Sequence, residues 1–320
     1  MKAIVQSTYG APDDVLVLKD IDKPKVGDGD VLVRVHAASV HLGDWILMTG
    51  VPRIMRLGTG LRGPKHPVPG TDIAGTVEAI GKGVTKLHVG DEVFGYCDGA
   101  FAEYASAPED HFVPKPAGLS FEQAAAVGVS ATTALQLLRD QGKVKPGQSV
   151  LINGASGGVG PFAVQIAKAF GAEVTGVCST TNVDMVRSIG ADRVIDYTET
   201  DFTQGESRYD FILDNVGNHP PSDVRRALTP NGRLQSNGGG NSKGALGRVI
   251  KTAFSAMFSK QQLAPSLKKQ NPEDLVVLKD LVDAGKITPV IDGTYPLSAT
   301  SEAIDHVAQG HARGTAVITI

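Results

Sequence analysis

The sequence predicts an α/β protein of two domains, one β-rich and one built on a doubly wound parallel sheet. Three observations predict it. At 320 residues the chain exceeds what one hydrophobic core usually fills. Short β segments and turns run to about residue 120, and a strict alternation of strand and helix patterns then follows. After residue 285 the pattern returns to strand-like runs, "KITPVIDGTYPL" through "GTAVITI". The expected division is therefore 1–120 with 286–320 as one domain and 121–285 as the other.

Taken in order, "DVLVRVHAASV" alternates apolar and polar positions at the period of a half-buried strand. "DIAGTVEAIGKGV" and "VGDEVFGYCDGAFAEYASA" place glycines where turns or bulges fall. "FEQAAAVGVSATTALQLLRD" has helical spacing, with Ser120 placed to cap it and Glu122 and Gln123 in the first turn. Strands are then expected at 149–153, 173–178, 193–196, 209–214 and 232–236, and helices at 158–170, 182–189 and 221–228. That order of elements is the signature of a parallel sheet with crossover helices.

Composition narrows the function. A formal net charge of −3 argues against a nucleic-acid partner, which requires a strongly basic face. No apolar run reaches the ~20 residues of a membrane span. "MKAIVQSTYG" lacks the apolar core of a signal peptide. Two cysteines, Cys97 and Cys178, make neither a disulfide framework nor a four-thiolate zinc site. A reducing cytoplasm is the expected compartment.

The most informative stretch is Gly154-Ala155-Ser156-Gly157-Gly158-Val159-Gly160, which follows an apolar strand and opens an apolar helix. Glycines at 154, 157 and 160 permit a tight turn and let backbone N–H groups reach a pyrophosphate, with the helix dipole behind them. A purely structural turn is the alternative. At the end of the second strand an acidic residue would bind the adenosine ribose hydroxyls and repel a 2′-phosphate. This chain has Cys178, Ser179, Thr180, Thr181 and Asn182 there, with Arg187 in the next helix. Hydroxyls and amides donate to phosphate, so NADP(H) is the expected cofactor. The same residues would also serve as an N-cap for the helix at 182.

With that loop in place, the chain resembles zinc-free members of the medium-chain dehydrogenase/reductase superfamily, in the quinone oxidoreductase branch. The supporting segments are "SVHLGDW" (39–45), "PVPGTDIAGTVEAIG" (67–81), "VGDEVFG" (89–95), "GASGGVG" (154–160), "GADRVIDY" (190–197), "DNVG" (214–217) and "HARGTAVITI". The resemblance implies a GroES-like β-rich domain joined to a Rossmann domain, with substrate in the cleft between them, and a homodimer. Metal-dependent relatives place a cysteine at His41, a His-Glu pair at Thr71-Asp72 and a second cysteine near Val129. His41 and Asp72 alone fall short of three zinc ligands, so no metal is expected.

The resemblance also implies site residues. His41 stands where the branch usually has an asparagine facing the cofactor, and is a candidate donor to the substrate oxygen; a structural histidine is the alternative. Thr133, with Thr132 beside it, matches a threonine near the nicotinamide, unless it back-bonds within its helix. Asp44 is a third catalytic candidate, with capping of the "HLGDW" turn as its bland reading. Trp45 and Ile46 are expected in the substrate pocket, though a lone tryptophan is commonly core. On the cofactor side stand Tyr197, which packs near the adenosine phosphate in relatives or else in the core, then Asn215 and Val216 after the fourth strand and Asn237 and Gly238 after the fifth.

The segment after the fifth strand carries six cations and no acid between Lys243 and Lys269. Leu246, Val249, Ile250, Ala253, Phe254, Met257 and Phe258 follow helical spacing. Three uses stay open for this amphipathic helix: packing on its own domain, capping a lipophilic pocket, or resting on an anionic membrane surface. The expected activity is NADPH-dependent reduction of a lipophilic quinone or enone without metal. The alternatives are a zinc-dependent secondary alcohol dehydrogenase and a non-catalytic NADPH-binding protein.

Overall fold

The computed structural model describes residues 1–53, 56–237, 271–310 and 312–320, with the backbone of 262–265. Gly238 and nearly all of the basic amphipathic segment lie outside the described residues. Backbone contacts divide the chain into two compact units. Met1–Thr132, Asn271–Gly285 and Pro289–Ile320 form the first, and Thr133–Gln270 with Lys286–Thr288 form the second.

In the first unit β1 (Lys2–Gln6) and β2 (Leu16–Asp20) make an antiparallel pair. β3 (Asp30–Val40), β4 (Asp72–Ile80), β5 (Glu92–Tyr96), β6 (Tyr104–Pro108) and β7 (Phe112–Pro114) belong to a larger sheet. The strands of the second unit are β8 (Ser149–Asn153), β9 (Glu173–Cys178), β10 (Arg193–Asp196), β11 (Tyr209–Asp214), β12 (Leu228–Ser236) and β13 (Gln262–Pro265). β14 (Ile291–Pro296) and β15 (Thr315–Thr319) return to the first unit and complete the order β14-β15-β3-β4-β5-β7, with β6 also on β3.

β3 is the spine of that sheet. It is buried at Val31, Leu32 and Val33, exposes Arg34 and part of His36, and is buried again from Ala37 to Val40. β4 lines one edge, while the other is shared by β6 along Asp30–Arg34 and β15 along Ala37–Val40. The β3/β4 register sets Ser39 opposite Asp72. Val31, Val33, Ile73, Val93, Phe101, Ala316 and Ile318 fill the core beneath. The helix Pro272–Asp283 sits against β7 and so groups with the first unit, whereas the sequence reading placed it in the second. Its amphipathic pattern shows that it packs but not on what.

The second unit's sheet runs β10-β9-β8-β11-β12-β13, parallel throughout. This is the doubly wound order, with its switch point between β8 and β11, where carboxyl-end loops meet ligand. The helix Gly160–Ala169 is buried along every residue from Gly160 to Ala167, so it is a core helix rather than a striped surface one.

Ser120 does cap the helix Phe121–Gln136. The Gln123 N–H donates to its Oγ at 3.2 Å, and the Gln123 side chain accepts from the Ser120 N–H at 3.0 Å, the reciprocal capping pair. The helix is broken at Gly128 by φ −27° and ψ −118°.

Candidate active site

In the second unit the chain leaves β8 at Asn153 and turns at once through Gly154, whose φ of +77° suits glycine. Gly154 and Ala155 N–H donate to the Val177 carbonyl of β9 at 3.1 and 2.9 Å, which presses the turn against the neighbouring strand. The glycines then divide the work. A Cβ on Gly160 would fall 2.2 Å from the Gly154 carbonyl oxygen, so helix and turn touch only because none is present. A Cβ on Gly157 would meet nothing nearer than 4.0 Å. Its bareness serves no internal packing and leaves backbone open to a pyrophosphate at the helix N-terminus.

The ends of the neighbouring strands frame this cradle. Asn182 closes one side: its Nδ2 donates to Ser156 Oγ at 3.2 Å and Ser179 Oγ at 3.1 Å, tying glycine turn to strand end, while its Oδ1 is buried without a partner. Its side chain caps no helical N–H, so its work is this bridge rather than a conventional N-cap. On the other side the buried Asp214 carboxylate shapes the turn after β11. Its Oδ1 accepts from Asn153 Nδ2 at 2.8 Å, Val216 N–H at 3.1 Å and Gly217 N–H at 2.8 Å. Asn237 Nδ2 donates to Asn215 Oδ1 at 2.8 Å, leaving Asn215 Nδ2 and Asn237 Oδ1 buried and unpartnered. A bare glycine turn with three orphaned amide atoms around it fits a dinucleotide, which would supply the missing partners.

The 2′ side differs in one respect from the sequence reading. β9 does end without a carboxylate, but Asp196 at the end of β10 stands in register with Cys178. The Thr180 hydroxyl, with the Thr198 O–H at 2.7 Å and N–H at 2.9 Å, holds the Asp196 carboxyl below its ordinary range. Thr180 and Thr198 hydroxyls are themselves 3.0 Å apart. Arg187 is exposed, with only a loose 3.7 Å pairing to Asp184. Burial raises the Cys178 thiol to about 11, so it stays protonated at neutral pH.

In the first unit β3 delivers His41 to the start of the helix Leu42–Thr49. The buried Asp44 accepts from the His41 backbone N–H at 2.9 Å, and its Oδ2 lies 3.5 Å from His41 Nδ1. On the ring's far side Nε2 is 2.8 Å from the Thr71 hydroxyl. Next to Thr71, fully buried Asp72 accepts from Val129 N–H at 2.8 Å and Ser39 Oγ at 3.0 Å. Burial pushes Asp44 up to about 7 and Asp72 up to about 6, the latter tempered by His41. Gly128 explains the broken helix: a Cβ there would lie 2.3 Å from the Asp72 carboxyl carbon.

Two family models match the chain: an alcohol dehydrogenase GroES-like domain over residues 27–117 and a zinc-binding dehydrogenase domain over 189–318. A chloroplastic quinone-oxidoreductase homolog from Spinacia oleracea is 32% identical, covering 99% of this chain and 98% of its own. The chain belongs to the quinone oxidoreductase branch of the medium-chain dehydrogenases/reductases. It is an oxidoreductase, with a GroES-like domain and a Rossmann-like domain. A chloroplastic NADPH-dependent alkenal/one oxidoreductase from Arabidopsis thaliana is 30% identical over 99% of this chain and 79% of its own. Among solved structures, the quinone oxidoreductase of Coxiella burnetii superposes with a TM-score of 0.87 at 32% identity, covering 100% of this chain and 99% of its own. The Escherichia coli quinone oxidoreductase complexed with NADPH gives 0.83 at 25%, each chain covered completely.

Within this oxidoreductase the expected residues fall into two groups. Gly154 to Gly160, Asn182, Asn215 and Asn237 gather at the carboxyl ends of β8, β9, β11 and β12. Tyr197 is 55% exposed, which rules out a core role, and its N–H donates to the Cys178 carbonyl at 3.0 Å. His41 and Asp44 meet in the first unit, whereas Thr133 is a buried residue of the second and Thr132 falls in the first. Asp44 does cap the "HLGDW" turn. Trp45 packs on the first unit's core, and Ile46 is half-buried. Sequence reasoning missed Asp196, Asp214 and the hydroxyl of Thr71. Their signal lay in strand pairing, since Asp196 matters only once β10 lies beside β9.

Proposed function

We propose that this oxidoreductase is an NADPH-dependent reductase delivering hydride to quinones or α,β-unsaturated carbonyls, with no metal in the reaction. The observation that carries it is the end of β9, where hydroxyls and an amide replace the acidic residue that would select an unphosphorylated ribose. The NADPH named in the E. coli structure and in the Arabidopsis relative supports the same choice. When bound, the cofactor supplies hydride from nicotinamide C4. The chain's own residues would hold it: the Gly157 backbone and the helix N-terminus would take the pyrophosphate, and Ser179, Thr180 and Arg187 would take the 2′-phosphate. Asp196 beside them is the opposing charge and moderates the preference.

The donor set speaks for metal-free chemistry. A catalytic zinc takes three nitrogen, sulfur or carboxylate ligands. Here His41 Nε2 is engaged by the Thr71 hydroxyl, and Asp72 Oδ2 is engaged by Val129 N–H and Ser39 Oγ. Quinones and enones are electrophilic enough to accept hydride when donors stabilise the oxyanion that forms. His41, acting through the Thr71 hydroxyl at its Nε2, and Thr133 are the donors we assign.

Steady-state assays with NADPH and NADH against quinone and enone panels test this reading, with metal analysis of the purified protein. We expect turnover with NADPH preferred and zinc well below one per chain. Turnover of secondary alcohols that tracks bound zinc would replace the proposal with a zinc-dependent dehydrogenase.

A further inference from the structure

Two of the orphaned amides in the second unit belong together. We infer that Asn215 and Asn237 form a dyad that reads the carboxamide of the nicotinamide ring and so fixes which way the ring faces. This inference rests on the nicotinamide coenzyme of the reading above.

Strand register places the dyad. Asn153 of β8 and Ser236 of β12 both stand in register with Asp214 of β11, so the residues that follow them, Gly154, Asn215 and Asn237, leave the sheet side by side. Two backbone bonds continue the row. Asn215 N–H donates to the Asn153 carbonyl at 3.1 Å, and Asn237 N–H donates to the Asp214 carbonyl at 2.9 Å. The glycine turn is close by, since a Cβ on Gly154 would fall 3.4 Å from Asn215 Cβ. A dinucleotide crosses such a sheet at the switch point, here between β8 and β11, with its adenosine half at the end of β9. That leaves the ends of β11 and β12, where the dyad stands, to the nicotinamide half.

Polarity selects the group that the dyad would take. Asn237 Nδ2 donates to Asn215 Oδ1 at 2.8 Å, which uses one atom of each amide. The other two, Asn215 Nδ2 and Asn237 Oδ1, are closed off from solvent and have no partner in the protein. Turning both amides over exchanges the labels and again leaves one donor and one acceptor. Both residues are only half-buried as a whole, so the pair lies just beneath the surface at the strand ends, where a ligand meets it by displacing its cover. A carboxamide presents one fixed acceptor and one fixed donor on the same carbon, the complement of this pair. Ribose hydroxyls rotate to suit either polarity and gain nothing from a matched pair, while phosphate and quinone oxygens only accept and would leave one orphan. Because the carboxamide is joined to the ring, holding it also sets the ring's rotation and the face of C4 turned to the acceptor.

The test is calorimetric binding of NADP⁺ and of its 3-acetylpyridine analogue, in which a methyl group replaces the amide nitrogen, to the full chain. Wild type should bind NADP⁺ about tenfold more tightly, the effect of one lost hydrogen bond that leaves a buried atom unpaired. Asn215→Ala and Asn237→Ala should each bring that ratio within about twofold, while 2′-phospho-ADP-ribose, which lacks the nicotinamide, binds both variants as it binds wild type. Equal affinities of wild type for NADP⁺ and the analogue overturn the dyad. So does a wild-type ratio that survives in both variants, or a matching loss of 2′-phospho-ADP-ribose affinity, which would make the pair structural. If melting temperatures show that neither variant folds, the wild-type ratio decides alone. The same comparison with NAD⁺ and its analogue separates the dyad from the choice of coenzyme. A wild type that binds neither dinucleotide overturns the functional reading and the dyad with it.

Discussion

The glycine cradle of the second unit and the His41 cluster of the first solve opposite problems. The cradle works by what is missing: Gly157 faces open space, and the orphaned amide atoms of Asn182, Asn215 and Asn237 await partners from outside the chain. The His41 cluster works by crowding, with two buried carboxyls, a ring, two hydroxyls and two backbone N–H groups bonded together, although Asp44 Oδ1 and Asp72 Oδ1 are left without partners. A site that binds by backbone tolerates side-chain changes around it but no added Cβ. A site built from buried polar groups loses stability when a partner that is bonded there is removed.

The sharpest way to break this contrast is within the cradle itself. Gly160→Ala places a Cβ 2.2 Å from a backbone oxygen that cannot yield, so it should cost about 3 kcal/mol or more and abolish cofactor binding. Gly157→Ala meets nothing within van der Waals range, so its melting temperature should match wild type while NADPH affinity falls about tenfold or more. Thermal melts paired with fluorescence titration separate the two. Equal losses of stability in both variants would refute the division of roles.

In the crowded cluster, Gly128→Ala drives a Cβ onto the anchored Asp72 carboxyl and should cost about 2–3 kcal/mol, read by chemical denaturation. The carboxyls give the cluster a pH signature. Asp44, raised to about 7, and Asp72, raised to about 6, bind protons in the folded state that the unfolded chain has already released. Their contribution to stability is therefore full below about pH 4 and declines as pH rises to about 7. Asp44→Asn, which stays neutral, should flatten that decline by on the order of 2 kcal/mol between pH 4 and 8. A pH dependence identical to wild type would mean Asp44 titrates normally. The smallest effect is expected at Asp196→Asn, whose half-buried, hydroxyl-bonded charge should alter the NADPH-to-NADH ratio by only about two- to fivefold, toward NADPH.

The same contrast explains what the sequence could tell. The cradle was legible because strand, glycines and helix are contiguous, and each glycine's role follows from local geometry. The His41 cluster was legible only in part. His41 and Asp44 lie three residues apart, but Thr71 and Ser39 join them through the β3/β4 register and Val129 through a helix broken at Gly128. Thr71 read as a failed metal ligand because its partner was thirty positions away. Asp196 escaped notice for the same reason, since its meaning depends on pairing with β9.

The central claim is that the end of β9 favours the phosphorylated coenzyme, and the dissociation constants of NADPH and NADH for the unmodified protein test it most directly. The account predicts that NADPH binds at least about tenfold more tightly at physiological salt, with the margin shrinking as ionic strength rises. Equal affinities, or tighter binding of NADH, would contradict it.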